Sequence, residues 1–227
     1  MASIGIAIDP SPAKRPQRVT IRGRYVSIVP LDPLAHGEAL YKGTHGPQHD
    51  SLWVYLLDGP FPNRPALDAS LHKKAASDDP LFYAIADNLS GMATGHAALM
   101  RIEPAHRAIE VGSILYLPAF QKTRGATESM YLMARYVFED LGYRRYEWKC
   151  NALNEPSRRA ALRLGFTFEG IFRQHMIIKG RNRDTAWFSM LDSEWPPCKA
   201  AFEKWLEPGN FDAAGRQKSS LSSLRAG

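Results

Sequence analysis

The residues best placed to do chemistry lie in the run Gln121-Lys122-Thr123-Arg124-Gly125-Ala126. The run is basic and ends in small residues. It stands between Ala108 to Leu117, rich in β-branched and large apolar residues, and an amphipathic stretch beyond it. From Ala126 onward, Met130, Met133, Ala134, Val137, Phe138 and Leu141 recur at the spacing of one buried helix face, and Gly142 supplies a stop. A basic loop feeding a helix N-terminus offers unpaired N–H groups and the positive end of the helix dipole, which together make a cradle for phosphate. An ordinary surface junction with a Lys or Arg is the other reading of the same residues. A second polar run, Asn154-Glu155-Pro156-Ser157, has the composition of a helix start, with Asn154 as cap and Pro156 in the first turn. His36, His45, His49, His72, His96 and His106 show no metal-ligand spacing, so no metal is expected. Cys150 and Cys198 lie far apart, which fits a reduced chain in the cytoplasm.

The scaffold for these groups is expected to be a mixed sheet flanked by helices, of the α/β class. Val19 to Pro30 reads as a first strand, or as a hairpin broken at Gly23. Asp32 to Lys42 reads as a short helix capped by Asp32, and Leu67 to Ala76 as another opened by Pro65. Leu81 to Asp87, Met92 to Arg101 and Ala108 to Leu117, joined by short turns, form an antiparallel meander. The amphipathic helix then crosses to a strand at Tyr146 to Cys150, which must run parallel to the one before it. A helix from Asn154 closes at Gly165, and the last strands are Phe166 to Gly170 and Trp187 to Leu191, joined through Ile171 to Asp184.

Four segments follow: residues 1–17 as a flexible lead, 18–195 as the folded domain, 196–208 as a helix packed on it, and 209–227 as a Ser-rich, disordered tail. The formal charge of +6 and the pI of about 9.4 suit an anionic ligand. Arginines at 144–145, 158–159, 181 and 183 raise the idea of RNA, but they are scattered and no RNA-binding motif accompanies them. No nucleic-acid partner is expected. No apolar run approaches the roughly 20 residues that span a bilayer, and the first residues lack the apolar core of a signal peptide.

Taken in order, the strand, Q-K-T-R-G-A-T-E, the long helix, a strand, N-A-L-N-E-P-S, a short helix, L-G-F and E-G resemble the GNAT superfamily of acyl-CoA transferases. The resemblance runs from about Val19 to Leu191, is strongest from Ala108 to Gly170, and is closest to the RimJ/RimL-like N-acetyltransferases. It implies a GNAT fold whose fourth and fifth strands splay apart, with acetyl-CoA as cosubstrate wedged in the gap. It implies that main-chain groups of Ile114, Leu115, Tyr116 and Leu117 pair with the pantetheine arm. It also assigns the pyrophosphate to Gln121, Lys122, Thr123, Arg124, Gly125, Ala126 and Thr127. The chain departs from the family loop at Arg124, where glycine is usual. Either its Cβ crowds the phosphate, or its guanidinium turns onto the phosphate and compensates.

By the same resemblance, Asn154 bonds the pantetheine arm and the Ser157 hydroxyl is the candidate to protonate the departing thiolate. Helix capping alone would explain both residues. Acyl transfer to an amine needs a route for the amine proton and donors for the developing oxyanion. The family position for a glutamate base is Met176 here, which leaves Glu110 and His175, or ordered water. Glu110 has the strand parity of Gly112 and Ile114, so it is expected to face the cleft, or else to be a salt-bridged carboxylate at the strand start. The expected acceptor loops are Gly43 to Pro65 and Ile171 to Asp184, with Trp53, Tyr55, Arg173 and Trp187 lining them. The implied function is N-acetyl transfer to a primary amine, at a protein N-terminus or on a small molecule, by a chain that could form a homodimer. A non-catalytic acyl-CoA sensor is the alternative.

Overall fold

Eight strands form one sheet in the computed structural model, which describes residues 4–226. They are β1 (Ile21–Arg22), β2 (Val26–Pro30), β3 (Leu81–Asp87), β4 (Ala93–Glu103), β5 (Ala108–Tyr116), β6 (Arg145–Asn151), β7 (Thr167–Ile178) and β8 (Arg181–Leu191), in the order β1-β2-β3-β4-β5-β6-β8-β7. All neighbours are antiparallel except β5 and β6, the pair joined by a helical crossover. The first expected strand is a hairpin, turning at Gly23-Arg24-Tyr25. Glu128 fixes that turn: its carboxylate accepts from the N–H groups of Arg24, Tyr25 and Val26 at 2.8, 2.6 and 2.9 Å.

Among the described residues six α-helices flank the sheet: α1 (Pro33–Thr44), α2 (Arg64–Ala76), α3 (Arg124–Arg135), α4 (Glu155–Leu164), α5 (Trp195–Leu206) and α6 (Leu221–Ala226). Asp32 caps α1, and Asn63 caps α2, which opens at Arg64, one residue before Pro65. Helix α3 opens at Arg124 with Thr123 as its cap and loosens into a π-turn over Tyr136–Asp140. The apolar stripe is buried as expected, yet Thr127, Glu128 and Ser129 are buried too. The reason is that α3 is enclosed by the sheet on one side and α5 on the other. One core joins α3, α4 and α5 to one sheet face, and a smaller core joins α1, α2 and Trp53 to the opposite face.

Two expectations about the last third of the chain are corrected. Ile171 to Asp184 is not a loop: β7 and β8 run on as a long hairpin that turns at Lys179-Gly180, both with positive φ (49° and 71°). Residues 209–226 are not disordered. Phe211 bridges to Gln217, the side chain of Asn210 bonds the carbonyls of Trp205 and Ser219, and Leu221 is buried. Arg225 then donates to the carbonyls of Arg163 and Leu162 at the end of α4. The lead is likewise packed in its second half, where Ala13 N–H bonds Pro104 and Lys14 N–H bonds Leu141. Residues 1–3 of the expected lead and residue 227 of the expected tail lie outside the described residues.

Candidate active site

The parallel ladder between β5 and β6 is short. It pairs Ala108 with Arg145 through Val111 with Trp148 and then stops, although β5 continues to Tyr116 and β6 to Asn151. Beyond Val111, the β6-facing main chain of β5 has no strand partner. These are the fourth and fifth strands in the count that treats Val19 to Pro30 as one. Ser113, with φ of 48°, sits in a bulge where three steps of β5 oppose two of β4.

The bulge overturns the parity argument for Glu110. Before it, Glu110 and Gly112 stand opposite Met100 and Ala98. After it, Leu115 stands opposite His96, so Leu115 shares their face and Ile114 does not. Ile114 and Tyr116 pack on the α3 core, whereas Leu115 and Leu117 pack on the α1–α2 core. Glu110 is buried, and its Oε2 accepts from Arg101 at 2.6 Å and meets Lys149 Nζ at 3.0 Å. Its Oε1 makes no hydrogen bond among the described residues. Burial raises its carboxyl above the ordinary glutamate range, even with Lys149 and Arg101 beside it. Lys149 continues the chain of charges to Glu147 at 2.6 Å, and Arg145 joins Glu147 to Glu169. Lys149 also lies 3.8 Å from the Trp187 ring centroid. Burial works against ionised Glu147, but hydrogen bonds from Lys149 and Arg145 hold its carboxyl below the ordinary range.

His175 is exposed on β7, its Nδ1 3.0 Å from Thr185 Oγ1 and its ring against Phe172. It shares the Glu110 face of the sheet, because Thr185 alternates with Trp187 along β8. The segment from Trp53 to Asp58 reaches over this face. Lys179, at the hairpin tip, donates to the carbonyls of Trp53 and Asp58 at 2.8 and 3.0 Å, and the Tyr55 hydroxyl donates to Leu153 at 3.1 Å. Trp53 itself is a core residue, 1 % exposed with its indole bonded to Thr44, so it lines nothing. Arg173 is exposed and Trp187 is a half-buried wall.

On the other face, a cleft of about 690 Å³ opens beside the α3 N-terminus. Tyr116, Gln121, Lys122, Thr123, Arg124, Ala126 and Thr127 line it, as do Trp148 and Arg163. Thr123 Oγ1 accepts from Ala126 N–H at 3.1 Å, whereas nothing among the described residues accepts from the N–H groups of Arg124 and Gly125. Gly125 serves packing: a Cβ there would lie 2.8 Å from the Phe120 ring and 3.0 Å from Val26. Arg124 lies between Tyr25 and Phe211, 5.2 and 4.7 Å from their ring centroids. Neither reading offered for Arg124 included this stack, since Phe211 belongs to the segment expected to be disordered.

Arg163, Trp205, Phe211 and Gln217 were missed by sequence reasoning. Arg163 reaches from α4 to donate to Thr127 Oγ1 at 3.2 Å, with its guanidinium 5.0 Å from the Trp205 ring centroid. Gln217 accepts from the Trp205 indole at 2.8 Å. Nothing in the local sequence marks these contacts, which join α3, α4, α5 and the C-terminal segment. The cleft, its free N–H groups and the cations Lys122 and Arg163 fit a nucleoside diphosphate with a long thiol arm.

Ser157 stands beside Trp148, which lines the cleft. Asn154 caps α4, its Oδ1 accepting from Ser157 N–H at 3.2 Å, and the Ser157 hydroxyl accepts from Trp148 Nε1 at 3.0 Å. Burial, with only a partial offset from Ser157, holds the nearby Cys150 thiol above its ordinary value, which makes it a poor nucleophile. No group of three His, Cys, Asp or Glu side chains arranged for a metal occurs among the described residues. No described helix is long and apolar enough to cross a membrane.

Comparison with known proteins places these observations. Residues 47–167 match the family model described as the acetyltransferase (GNAT) domain. A crystal structure of a GCN5-related N-acetyltransferase from Brucella melitensis is 50 % identical, with 95 % of this chain and 98 % of that one covered and a TM-score of 0.93. YdaF of Bacillus subtilis, named as a candidate ribosomal N-acetyltransferase, is 28 % identical over 105 residues, and the match spans 46 % of this chain and 57 % of YdaF. RimL, a ribosomal L7/L12 α-N-protein acetyltransferase solved with coenzyme A, shares the fold at a TM-score of 0.63 and 19 % identity, with 76 % of this chain and 98 % of that one covered.

Proposed function

The chain belongs to the GNAT acetyltransferase family, and we propose that it is of the RimJ/RimL-like type and moves an acetyl group from acetyl-CoA to a primary amine by direct attack. The observation that carries this reading is the β5–β6 ladder, which stops at Val111 and Trp148 between the α3 cleft and the Glu110 face. When bound, acetyl-CoA supplies the activated acyl carbonyl and a thiolate leaving group. The first-turn N–H groups of α3, with Lys122 and Arg163, hold the diphosphate. The β6-facing main chain of β5 beyond Val111, which has no strand partner, holds the arm and supplies N–H donors where negative charge develops. Leu115 and Leu117 contribute through main chain only, since their side chains belong to the second core.

Ser157 delivers its proton to the departing sulfur and takes one back from solvent water, while the amine proton leaves separately. Its oxygen is already occupied as an acceptor from Trp148, which leaves the O–H free to donate. Glu110 Oε1 or His175 receives the amine proton, directly or through a water. The raised carboxyl of Glu110 suits that task better than an unperturbed glutamate would. Two free, buried cysteines fit a reducing cytoplasm. The uncovered edge of β7, with Phe168, Ile171, Phe172 and Ile177 exposed, supports pairing of two copies. Gel filtration with light scattering tests that pairing: a dimer mass is expected, and a monomer at tens of micromolar concentration would contradict it.

A second reading, an acyl-CoA sensor without turnover, draws on Met176, which stands where the resemblance puts a base. It predicts acetyl-CoA binding but no thiol release with any amine. Calorimetric titration with acetyl-CoA, with ATP as the anion control, followed by thiol release over an amine panel, separates the two. Saturable binding with release supports transfer, binding without release supports the sensor, and no binding contradicts both.

A further inference from the structure

Arg183 has no partner. Its guanidinium makes neither a hydrogen bond nor an ion pair among the described residues, and its Nε is sealed from solvent without an acceptor. Charges half withdrawn from water are ordinarily matched, and a buried N–H left unmade is costly. The neighbouring charges do not match it. Glu110, Glu147 and Glu169 are taken in one continuous chain by Arg101, Lys149 and Arg145, three carboxylates with three cations. Arg183 is left without a carboxylate on this face.

Its position is specific. Arg183 alternates along β8 with Thr185 and Trp187, so its side chain emerges on the Glu110 face. Its cross-strand partner on β7 is Met176, an uncharged residue beside His175. The next residue, Asp184, accepts from Ala152 N–H at 2.8 Å, which ties Arg183 to the end of β6 and the approach to α4. Glu110 and Arg101 are the charged groups of this face that it senses, and burial lowers its affinity for a proton despite Glu110. A guanidinium held here, near the Glu110 charge and opposite the strand that carries His175, is a fork for a planar anion.

We infer that Arg183 binds a carboxylate of the amine acceptor, so that the substrate class is an amine bearing a carboxylate close to the reacting nitrogen. The inference rests on the acetyl-transfer reading. Two sources share this chemistry: a free amino acid, through its own carboxylate, and a peptide N-terminus whose first side chain is acidic. Neutral amines bind without the fork and leave Arg183 unpaired.

The test compares matched acceptors by steady-state thiol release at saturating acetyl-CoA. Alanine is set against alaninamide, and Asp-Ala amide against Asn-Ala amide. Alaninamide is the less basic amine, so a preference for alanine does not reflect the larger fraction of free amine. The expected result is a KM at least tenfold lower for the carboxylate member of one pair, and the pair that responds identifies the source. Arg183→Gln should erase that difference, and Arg183→Lys should restore part of it, with acetyl-CoA titration and a thermal melt confirming folded, donor-binding protein. Turnover of amines with no carboxylate preference in either pair would overturn the inference while leaving acetyl transfer standing. A preference retained in full by Arg183→Gln would overturn it as well. No turnover with any amine would overturn the transferase reading, and this inference with it.

Discussion

The indole N–H of Trp148 donates to the Ser157 hydroxyl oxygen at 3.0 Å, across the junction of β6 and α4. That bond orients a hydroxyl which Asn154 has already placed in the first turn of α4. If Ser157 delivers a proton to the leaving sulfur, Ser157→Ala should lower kcat by 10²-fold or more and leave the Kd for acetyl-CoA within a factor of about two. Trp148→Phe, which removes only the donor, should fall between Ser157→Ala and the parent. Pre-steady-state thiol release checks both, and an unchanged kcat in Ser157→Ala would remove the residue from the mechanism.

Arg163 and the segment that folds over Trp205 complete the phosphate cleft from outside the Gln121–Thr127 loop. Arg163→Ala should weaken acetyl-CoA about tenfold, the scale of one charge-assisted contact, and the loss should shrink as salt rises. Phe211→Ala frees Arg124 from its stack and should also alter affinity. Calorimetry at two ionic strengths reads both, and a Kd unchanged in Arg163→Ala would move the phosphates elsewhere.

Glu128 is a structural carboxylate, although it directly follows the phosphate loop. Glu128→Ala strands the three N–H groups of the first hairpin, which should cost about 3 kcal/mol or more. Urea denaturation measures it. A loss below about 1 kcal/mol would mean that the hairpin relaxes onto water.

His96 should make the protein acid-sensitive. Burial, helped by the Lys74 charge and opposed by Asp58, pushes the imidazole down to about 3 from the ordinary 6.5; the Ser113 main chain approaches the ring without a hydrogen bond of good geometry. Below pH 6.5 the unfolded chain takes up a proton that the folded chain refuses until about pH 3. This contribution is therefore complete above 6.5 and is lost as pH falls, by about 1.4 kcal/mol per pH unit. His96→Leu should flatten the slope of stability between pH 6.5 and 4, and an unchanged slope would contradict the assignment.

Much of this site was legible because it rests on local signals. Asp32 and Asn154 announce their helices, Gly165 closes one at a φ of 104°, and the helix between β5 and β6 demands a parallel pair. What escaped depended on geometry that one residue controls or on distant packing. The Ser113 bulge reversed the face of every later β5 side chain, so Glu110 and Ile114 parted although their spacing is even. The β7–β8 hairpin was hidden because β7 is a solvated edge with a second irregularity at Gln174, which blurs its alternation. Trp205, Phe211 and Arg163 are brought together from α5, the C-terminal segment and α4 only by the fold.

The most direct measurement is thiol release from acetyl-CoA with purified protein and a panel of amines, run beside Ser157→Ala. Amine-dependent release, with acetyl found on the amine by mass spectrometry and a rate lowered 10²-fold or more in Ser157→Ala, is the expected result. Protein that is folded and binds acetyl-CoA, yet releases thiol with no amine, would contradict acetyl transfer at this gap.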